Sequence, residues 1–574
     1  MSRRRLFLSS LIAAAILLVA VGCEMLPVLH TVGRPPSARP ALPSLPEPQV
    51  RDSPSRLARI SYLKGAVSFQ AAGTETWSRA ELNRPATEGD ALWTDVAAGA
   101  ELHLGSAAIR MDARTALDFL RFDDRIVQLR VTKGVIGVTV RRVSPGEILE
   151  IDTPGAAVTF SQAGQYRIEI QPDMETTVVT ARSGDTEVAT TRLSFVVHAG
   201  QRVNVVGTDA GEYGLAKAFA PDKFDEFCQA RDRREDGCVA SLYVSPDAIG
   251  AYDLDEFGEW RVDAQWGNVW TPRRLPEGWA PYRFGHWAWV EGWGWTWIDD
   301  AAWGFAPFHY GRWAFLDDAW SWVPGPPNDR AVYAPALAVF VGGGRRGYRY
   351  FYWVGTPGIA WFPIGPGEVY VPPYRCSPAY LTNINTSNTA MKDPTAIQEI
   401  DVARQNYANL AVTGAVTAVP REVFVRGQFI ASANIAVAAP QALSAVINGT
   451  TPPVAPLEVS SSPRRDRFVL PPPRINPVDT VVGRRDLPPR PASFRRRQPF
   501  LDAHPGRPLE LSELEALRSA ANELPRSEVR PARVADTRAR EWVAPPLLAR
   551  TPEQIKRDKR SDAQRLRAIQ RENR

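Results

Sequence analysis

Cysteine, methionine and histidine are scarce in this chain, at four, five and six of 574 residues. No Cys-x-x-Cys is present, and His30, His103, His198, His286, His309 and His504 are scattered, so neither a zinc site nor a thiol redox motif is expected. Gly-x-Ser-x-Gly, a Walker loop and His-Glu-x-x-His are missing too, which removes the common hydrolase, nucleotide-hydrolase and zinc-protease signatures. No cofactor is expected. Long hydrophobic runs are absent but for one uncharged stretch, Leu6 to Val21. It is shorter than the roughly 20 residues of a membrane span, and it lies between Arg3-Arg4-Arg5 and Gly22-Cys23. That is the basic, apolar and small-residue layout of a secretory signal.

Ala20-Val21-Gly22-Cys23 resembles a bacterial lipobox, with Ala20 in place of the usual leucine. The resemblance implies lipidation of Cys23 and membrane association through the signal or a lipid anchor. Export would place the remaining cysteines in an oxidising compartment. Cys228 and Cys238, ten residues apart, are then a candidate disulfide, with Cys376 left over.

The formal charge of +5 hides an asymmetry. Residues 461–574 carry 26 Lys and Arg against 15 Asp and Glu, a net of +11, so the remainder is 5 − 11 = −6. The basic character belongs to the C-terminal region.

Composition divides the chain into a signal peptide at 1–23 and a Pro-rich linker at 24–57, followed by a β-rich domain at 58–206. In that domain short valine-rich segments such as Val127–Thr132 and Gly134–Val140 alternate with turns at Glu88-Gly89-Asp90, Gly105-Ser106, Pro145-Gly146 and Ser183-Gly184-Asp185. An antiparallel sandwich or solenoid-like β domain is expected. Residues 207–249 read as a charged helical connector, with its helix over Phe224–Glu235. Residues 250–375 form a Trp-rich repeat domain and 376–450 an irregular extension. In 451–574 prolines dominate, as in Leu470-Pro-Pro-Pro-Arg474, and a disordered basic tail with short helices at Leu509–Leu524 and Pro552–Arg571 is expected.

Gly65-Ala-Val67, Glu88-Gly-Asp-Ala-Leu-Trp-Thr94, Ala100-Glu-Leu-His-Leu-Gly-Ser106, Ile151-Asp-Thr-Pro154, Gly164-Gln-Tyr-Arg-Ile168 and Val197-His-Ala-Gly200 together resemble the FecR domain family over about 58–206. In its best-known members that domain is the periplasmic half of an iron-uptake regulator, behind a cytoplasmic anti-sigma segment and a transmembrane helix. Here five residues precede the hydrophobic stretch. The resemblance therefore implies an envelope module without the sigma-factor role.

Fifteen of the eighteen tryptophans fall between Trp260 and Trp361. Ala280-Pro-Tyr-Arg-Phe-Gly-His-Trp287 recurs as Ala306-Pro-Phe-His-Tyr-Gly-Arg-Trp313, and Gly-x-Trp starts at Gly258, Gly285 and Gly311, steps of 27 and 26 residues. Alternating aromatics follow each: Trp266 with Trp270, then Trp293, Trp295 and Trp297, then Trp320 and Trp322. Successive strand side chains point to opposite faces, so each repeat reads as a β-hairpin with a stacked aromatic face. Gly292-Trp-Gly-Trp-Thr-Trp297, Trp303-Gly-Phe-Ala-Pro-Phe-His-Tyr-Gly-Arg-Trp313 and Ala360-Trp-Phe-Pro-Ile-Gly-Pro-Gly-Glu368 resemble DUF6600, an uncharacterised bacterial family, over about 250–375.

These rings are core in one reading and, in another, partly exposed surfaces that stack on sugars or other flat ligands. The candidate binding set is Trp287, Trp289, Trp293, Trp295, Trp297, Tyr310, Arg312, Trp313, Trp320 and Trp322. Asp299-Asp300 and Asp317-Asp318 invite comparison with glycosidase carboxylates, but both pairs lie between aromatic strands where turns are expected. His309 occupies the repeat slot of Arg283 and reads as a polar edge residue. Gly342–Gly347 matches Gly-x-Gly-x-x-Gly, yet an aromatic strand follows it rather than a helix, so a loop is expected. Arg464-Arg465, Arg484-Arg485 and Arg495-Arg-Arg497 read as a solvated tail or as sites for anionic envelope polymers, with no nucleic-acid partner expected.

The sequence thus suggests a mainly β, non-enzymatic protein of the envelope of a Gram-negative-type bacterium, periplasmic or outer-membrane-anchored. Binding or scaffolding of glycan or of another envelope protein is the leading expectation. A FecR-like sensor working with a separate membrane partner is the first alternative, and a glycan-active enzyme the second.

Overall fold

Strand begins at Ala58 and dominates from there. A computed structural model describes residues 52–172, 176–207, 213–342, 351–353, 356–389, 400–437, 446–462, 481–519 and 529–531, with Ile397 and Gln564. Cys23, the Arg464-Arg465 cluster, most of the Gly342–Gly347 loop and, but for Gln564, the expected helix at Pro552–Arg571 lie outside the described residues.

From Ala58 to Lys217 the chain passes back and forth between two sheets. One contains Ala58–Lys64, Gly99–His103, Ala107–Met111, Gly164–Ile170, Thr176–Ser183 and Gln201–Val206. The other contains Val67–Gln70, Ala91–Thr94, Ala116–Phe122, Ile148–Asp152, Ala157–Phe160 and Thr186–Ala189. The strand Ile126–Val140 belongs to both: its first half pairs with Ala116–Phe122 and its second with Gly164–Ile170. It changes sheets at Gly134, φ +89°, where a Cβ would fall 2.3 Å from the Thr115 hydroxyl. Only glycine fits that bend. Period-two burial fills the space between the sheets, as with Tyr166, Ile168 and Ile170 facing in from Gly164–Ile170. Ile148–Asp152 runs parallel to Ile126–Arg130, while the other described pairings in this module are antiparallel.

The connector helix, Lys223–Asp236, starts at a capping box in which the Asp222 carboxylate accepts from Phe224 and Asp225 N–H. Its charged side chains meet charges on the sheet: Asp232 reaches Arg110 at 2.7 Å, Arg231 reaches Glu101 at 2.6 Å and Asp225 reaches Arg182 at 2.5 Å. A helix with so few apolar residues is therefore held by buried ion pairs. Cys228 points at Gly137 on the sheet, whereas Cys238 lies past the helix C-terminus. Both thiols are free. The expected disulfide is thereby corrected: at 1.5 Å per helical residue the two sit roughly 13–15 Å apart along the axis, about twice the reach of a disulfide.

The three expected hairpins are present as Gly258–Asp263 with Gly267–Pro272, Gly285–Val290 with Gly294–Asp299, and Arg312–Leu316 with Ala319–Val323. Aromatics face each other across them: Trp260 and Trp270, Trp287 and Trp297, Trp289 and Trp295, Trp313 and Trp322. The first and third hairpins join through Trp270 and Trp322, and the second forms a sheet of its own. A further sheet holds Ala338–Gly342, Phe351–Trp353 and Thr356–Pro363.

Two expected boundaries are redrawn. The irregular extension, 376–450, supplies Thr417–Pro420 and Val446–Gly449 to that last sheet and Phe424 to the aromatic core. Within the expected disordered tail, the described residues 481–519 are packed: Val481, Val482, Ala492, Phe494 and Leu501 are buried, and helices cover Phe494–Ala503 and Leu511–Ser519. Their apolar residues find partners hundreds of positions away, a pairing that local composition does not reveal.

Candidate functional site

The ten residues expected to bind are all buried, Trp320 being the most accessible at 7%. Trp287 alone contacts Tyr282, Trp297, Phe340, Trp361 and Phe424 at ring-centroid distances of 5.1–6.5 Å. Several indole N–H groups are satisfied internally, Trp295 by Val454 O at 3.0 Å and Trp322 by Tyr310 O at 2.8 Å. Arg312 donates to Asn385 Oδ1 at 3.2 Å and to Glu368 O, and burial pushes its guanidinium down to about 10. These aromatic faces are covered by the chain itself.

The chemical signals resolve similarly. Asp317 and Asp318 form a tight turn with φ of 50° and 60°. Asp299 is a buried strand end that accepts from Trp297 Nε1 and Ala301 N at 3.0 Å, and burial holds its carboxyl well above the usual range. His309 is not an edge residue. It is fully buried, with Nδ1 2.8 Å from Ala334 O, and burial pushes it down to about 3. Some arginines of these clusters turn inward: Arg485 pairs with Glu150, Arg484 with Glu187, and Arg497 with Glu291, while Arg495 and Arg496 stay exposed.

An open aromatic surface lies elsewhere, at the ends of the first two hairpins. There a cleft of about 520 Å³ is lined by Phe257, the Arg273–Pro276 loop, Trp279, Phe284, Trp303 and Phe429. That volume is within the roughly 300–1,000 Å³ of small-molecule sites. Trp279 and Phe284 are half-buried, so their rings present surface to solvent. Trp303 braces Trp279 at 6.0 Å and is itself seated edge-on against Trp270 at 5.0 Å. Phe284 meets Phe429 edge-on at 6.2 Å.

The rim is charged. Arg273 pairs with Glu259 at 3.2 Å and Glu256 with Arg234 at 2.9 Å. Arg274, exposed and held at φ +56°, and Asp300 complete it. Rigid flat rings below and hydrogen-bonding charges above suit a flat ligand with one apolar face and polar edges. Among the described residues no group of His, Cys, Asp and Glu is arranged to hold a metal ion.

Sequence reasoning passed over this set because it followed Trp-x-Trp alternation. Trp279 and Trp303 stand outside the alternation, in the loops Gly278-Trp279-Ala280-Pro281 and Ala302-Trp303-Gly304. A tryptophan isolated in a connecting loop was the available signal.

Residues 251–374 match DUF6600, a family of unknown function. Except for Phe429, the residues that bound the cleft fall within that segment. No curated protein matches the chain. Two crystal structures of a candidate anti-sigma factor from Parabacteroides distasonis ATCC 8503, at 1.65 and 2.50 Å resolution, are similar at 16% and 17% identity. Each comparison covers 23% of this chain and 60% of that one, with a TM-score of 0.21.

Proposed function

We propose that this protein is a non-enzymatic binding or scaffolding module of the bacterial cell envelope that takes up glycan through the cleft at Trp279 and Trp303. The observation that carries the reading is the contrast in burial: the ten candidate residues of the second and third hairpins are sealed, while the cleft keeps the half-buried rings of Trp279 and Phe284 open beside a charged rim, with the buried Trp303 behind them. Sugar rings have an apolar face for the indoles and hydroxyls for the rim. Glu256 and Arg273 are already engaged in ion pairs, an arrangement suited to holding a ligand rather than to transferring protons. The envelope location rests on the basic and apolar N-terminal sequence ending at Gly22-Cys23.

Titration with peptidoglycan and other envelope glycan fragments tests the binding, followed by calorimetry and by tryptophan fluorescence. Saturable binding is expected, weakened about fivefold or more by Trp279→Ala, since stacking of one ring is worth on the order of 1 kcal/mol or more. Absence of heat and quenching across the panel, or binding that Trp279→Ala leaves untouched, refutes the cleft assignment. Cosedimentation with purified sacculi is expected. Recovery of one protein partner without sacculus binding would favour the FecR-like sensor. Metabolic labelling with a fatty-acid analogue, lost on Cys23→Ser, checks the lipid anchor.

A further inference from the structure

Away from the aromatic cleft, the N-terminal module carries an acidic seat filled by a remote piece of the same chain. Glu150 and Asp152 lie two apart on the strand Ile148–Asp152 and are both fully buried. What covers them is the short strand Val481–Gly483 with the arginines that follow it. Val482 N–H donates to Thr153 O at 2.9 Å in an antiparallel bridge, and Arg484 N–H donates to Glu150 Oε1 at 3.0 Å. The Arg485 guanidinium pairs with Glu150. That of Arg484 pairs with Glu187 and donates to Ser194 Oγ at 3.1 Å.

The seat selects its occupant at each position. Val481 and Val482 are fully buried, so apolar residues are required there. Gly483 passes so close to Asp152 that a Cβ would stand 2.9 Å from Oδ2. The two guanidiniums then meet the carboxylates. Without them the site would hold neighbouring acids at a buried surface: Asp152 is already pushed well above the usual carboxylate range by burial and then by Glu150. Backbone pairing supplies affinity and side-chain pockets supply specificity, as in other recognition by strand addition. Both arginine side chains remain about a quarter exposed, so water and salt reach the ion pairs.

We infer that Glu150, Asp152, Thr153 and Glu187 form a peptide-binding site for an extended apolar-Gly-Arg-Arg segment of a partner protein, which residues 481–485 occupy in cis. The partner strand enters by displacing the resident one, so the resident segment sets the threshold for binding.

Fluorescence anisotropy with a fluorescein-labelled peptide of residues 480–487 tests this on the full chain. Arg484→Ala/Arg485→Ala empties the seat, and the peptide is expected to bind this variant at least about tenfold more tightly than the wild type. Adding Glu150→Gln, or raising the ionic strength several-fold, is expected to abolish that binding. Should the double variant lose its circular dichroism, Gly483→Ala provides a second opening, because it disturbs the close approach to Asp152 and keeps both arginines. Failure of the peptide to bind any folded opened variant overturns the inference, as does binding that survives Glu150→Gln. Self-association of an opened variant that excludes the peptide overturns it in favour of strand exchange between copies.

Discussion

His309 and Arg283 occupy one slot of the repeated phrase, yet each serves the core differently. Arg283 donates to Gly278 O and Gly414 O, both at 2.6 Å, and to Thr417 Oγ1 at 3.0 Å. His309 is fully buried beside Phe305 and Tyr333. Burial pushes its imidazole down to about 3, so the folded protein keeps it neutral while the unfolded chain protonates it near 6.5. The unfolded state then binds more protons between those values, and stability falls as pH drops from about 6.5 toward 3. His309→Gln keeps an amide able to donate to Ala334 O and has no proton to take up. Its urea midpoint is expected to change less over this window than that of the wild type, by on the order of a few kcal/mol in unfolding free energy. Equal pH slopes for the two proteins would show that His309 does not carry the acid sensitivity. The repeat marked the backbone position correctly, but burial at that position depends in part on Tyr333 and Ala334, 24 and 25 residues away and beyond what the phrase encodes.

At the scale of elements, the aromatic hairpins were legible because Trp-x-Trp and Gly-x-Trp are local. The pairing of Trp289 with Trp295 follows from alternation and a short turn alone. Which ring faces stay open was not legible. Phe424 and Val454, more than a hundred residues downstream, seal the second hairpin, and no periodicity links them to it. The cleft was missed for the related reason that Trp279 and Trp303 sit in loops between hairpins. The turn of the third hairpin also offers a test. Asp317 and Asp318 both adopt positive φ, which matches the twist of a two-residue hairpin loop and favours Asn-Gly or Asp-Gly. Asp318→Gly relieves the left-handed conformation and is expected to stabilise by up to about 1 kcal/mol. A higher urea midpoint at unchanged m-value would be the signature, and a lower one would mean that the Asp318 side chain contributes something a glycine cannot replace.

Across the whole molecule, charge does more to connect distant segments than composition suggests. The N-terminal module and the aromatic region meet through Arg59, fully buried, which reaches Asp253 at 2.5 Å, Asn83 Oδ1 at 2.7 Å and Ala302 O at 3.0 Å. The C-terminal segment makes a second such link. Arg497, 2% exposed, donates to Ala72 O at 2.7 Å, pairs with Glu291 on the second hairpin and lies over the Phe494 ring. Gly73 and Gly89 make room for it, since a Cβ at either would run into Ala492 O or Pro491 at 2.3 Å. A proline-rich, arginine-rich sequence therefore packs because its partners were built elsewhere in the chain. Arg497→Ala leaves Glu291 nearly buried without its cation, and removing one member of a buried pair costs about 3–5 kcal/mol. A fall in the thermal midpoint is expected, together with faster proteolysis within 481–519 than elsewhere. Glu291→Gln should recover part of the loss in the Arg497→Ala background, because it removes the stranded charge. Additive losses in that double-mutant cycle would show that Arg497 acts through Ala72 and Phe494 rather than through the ion pair.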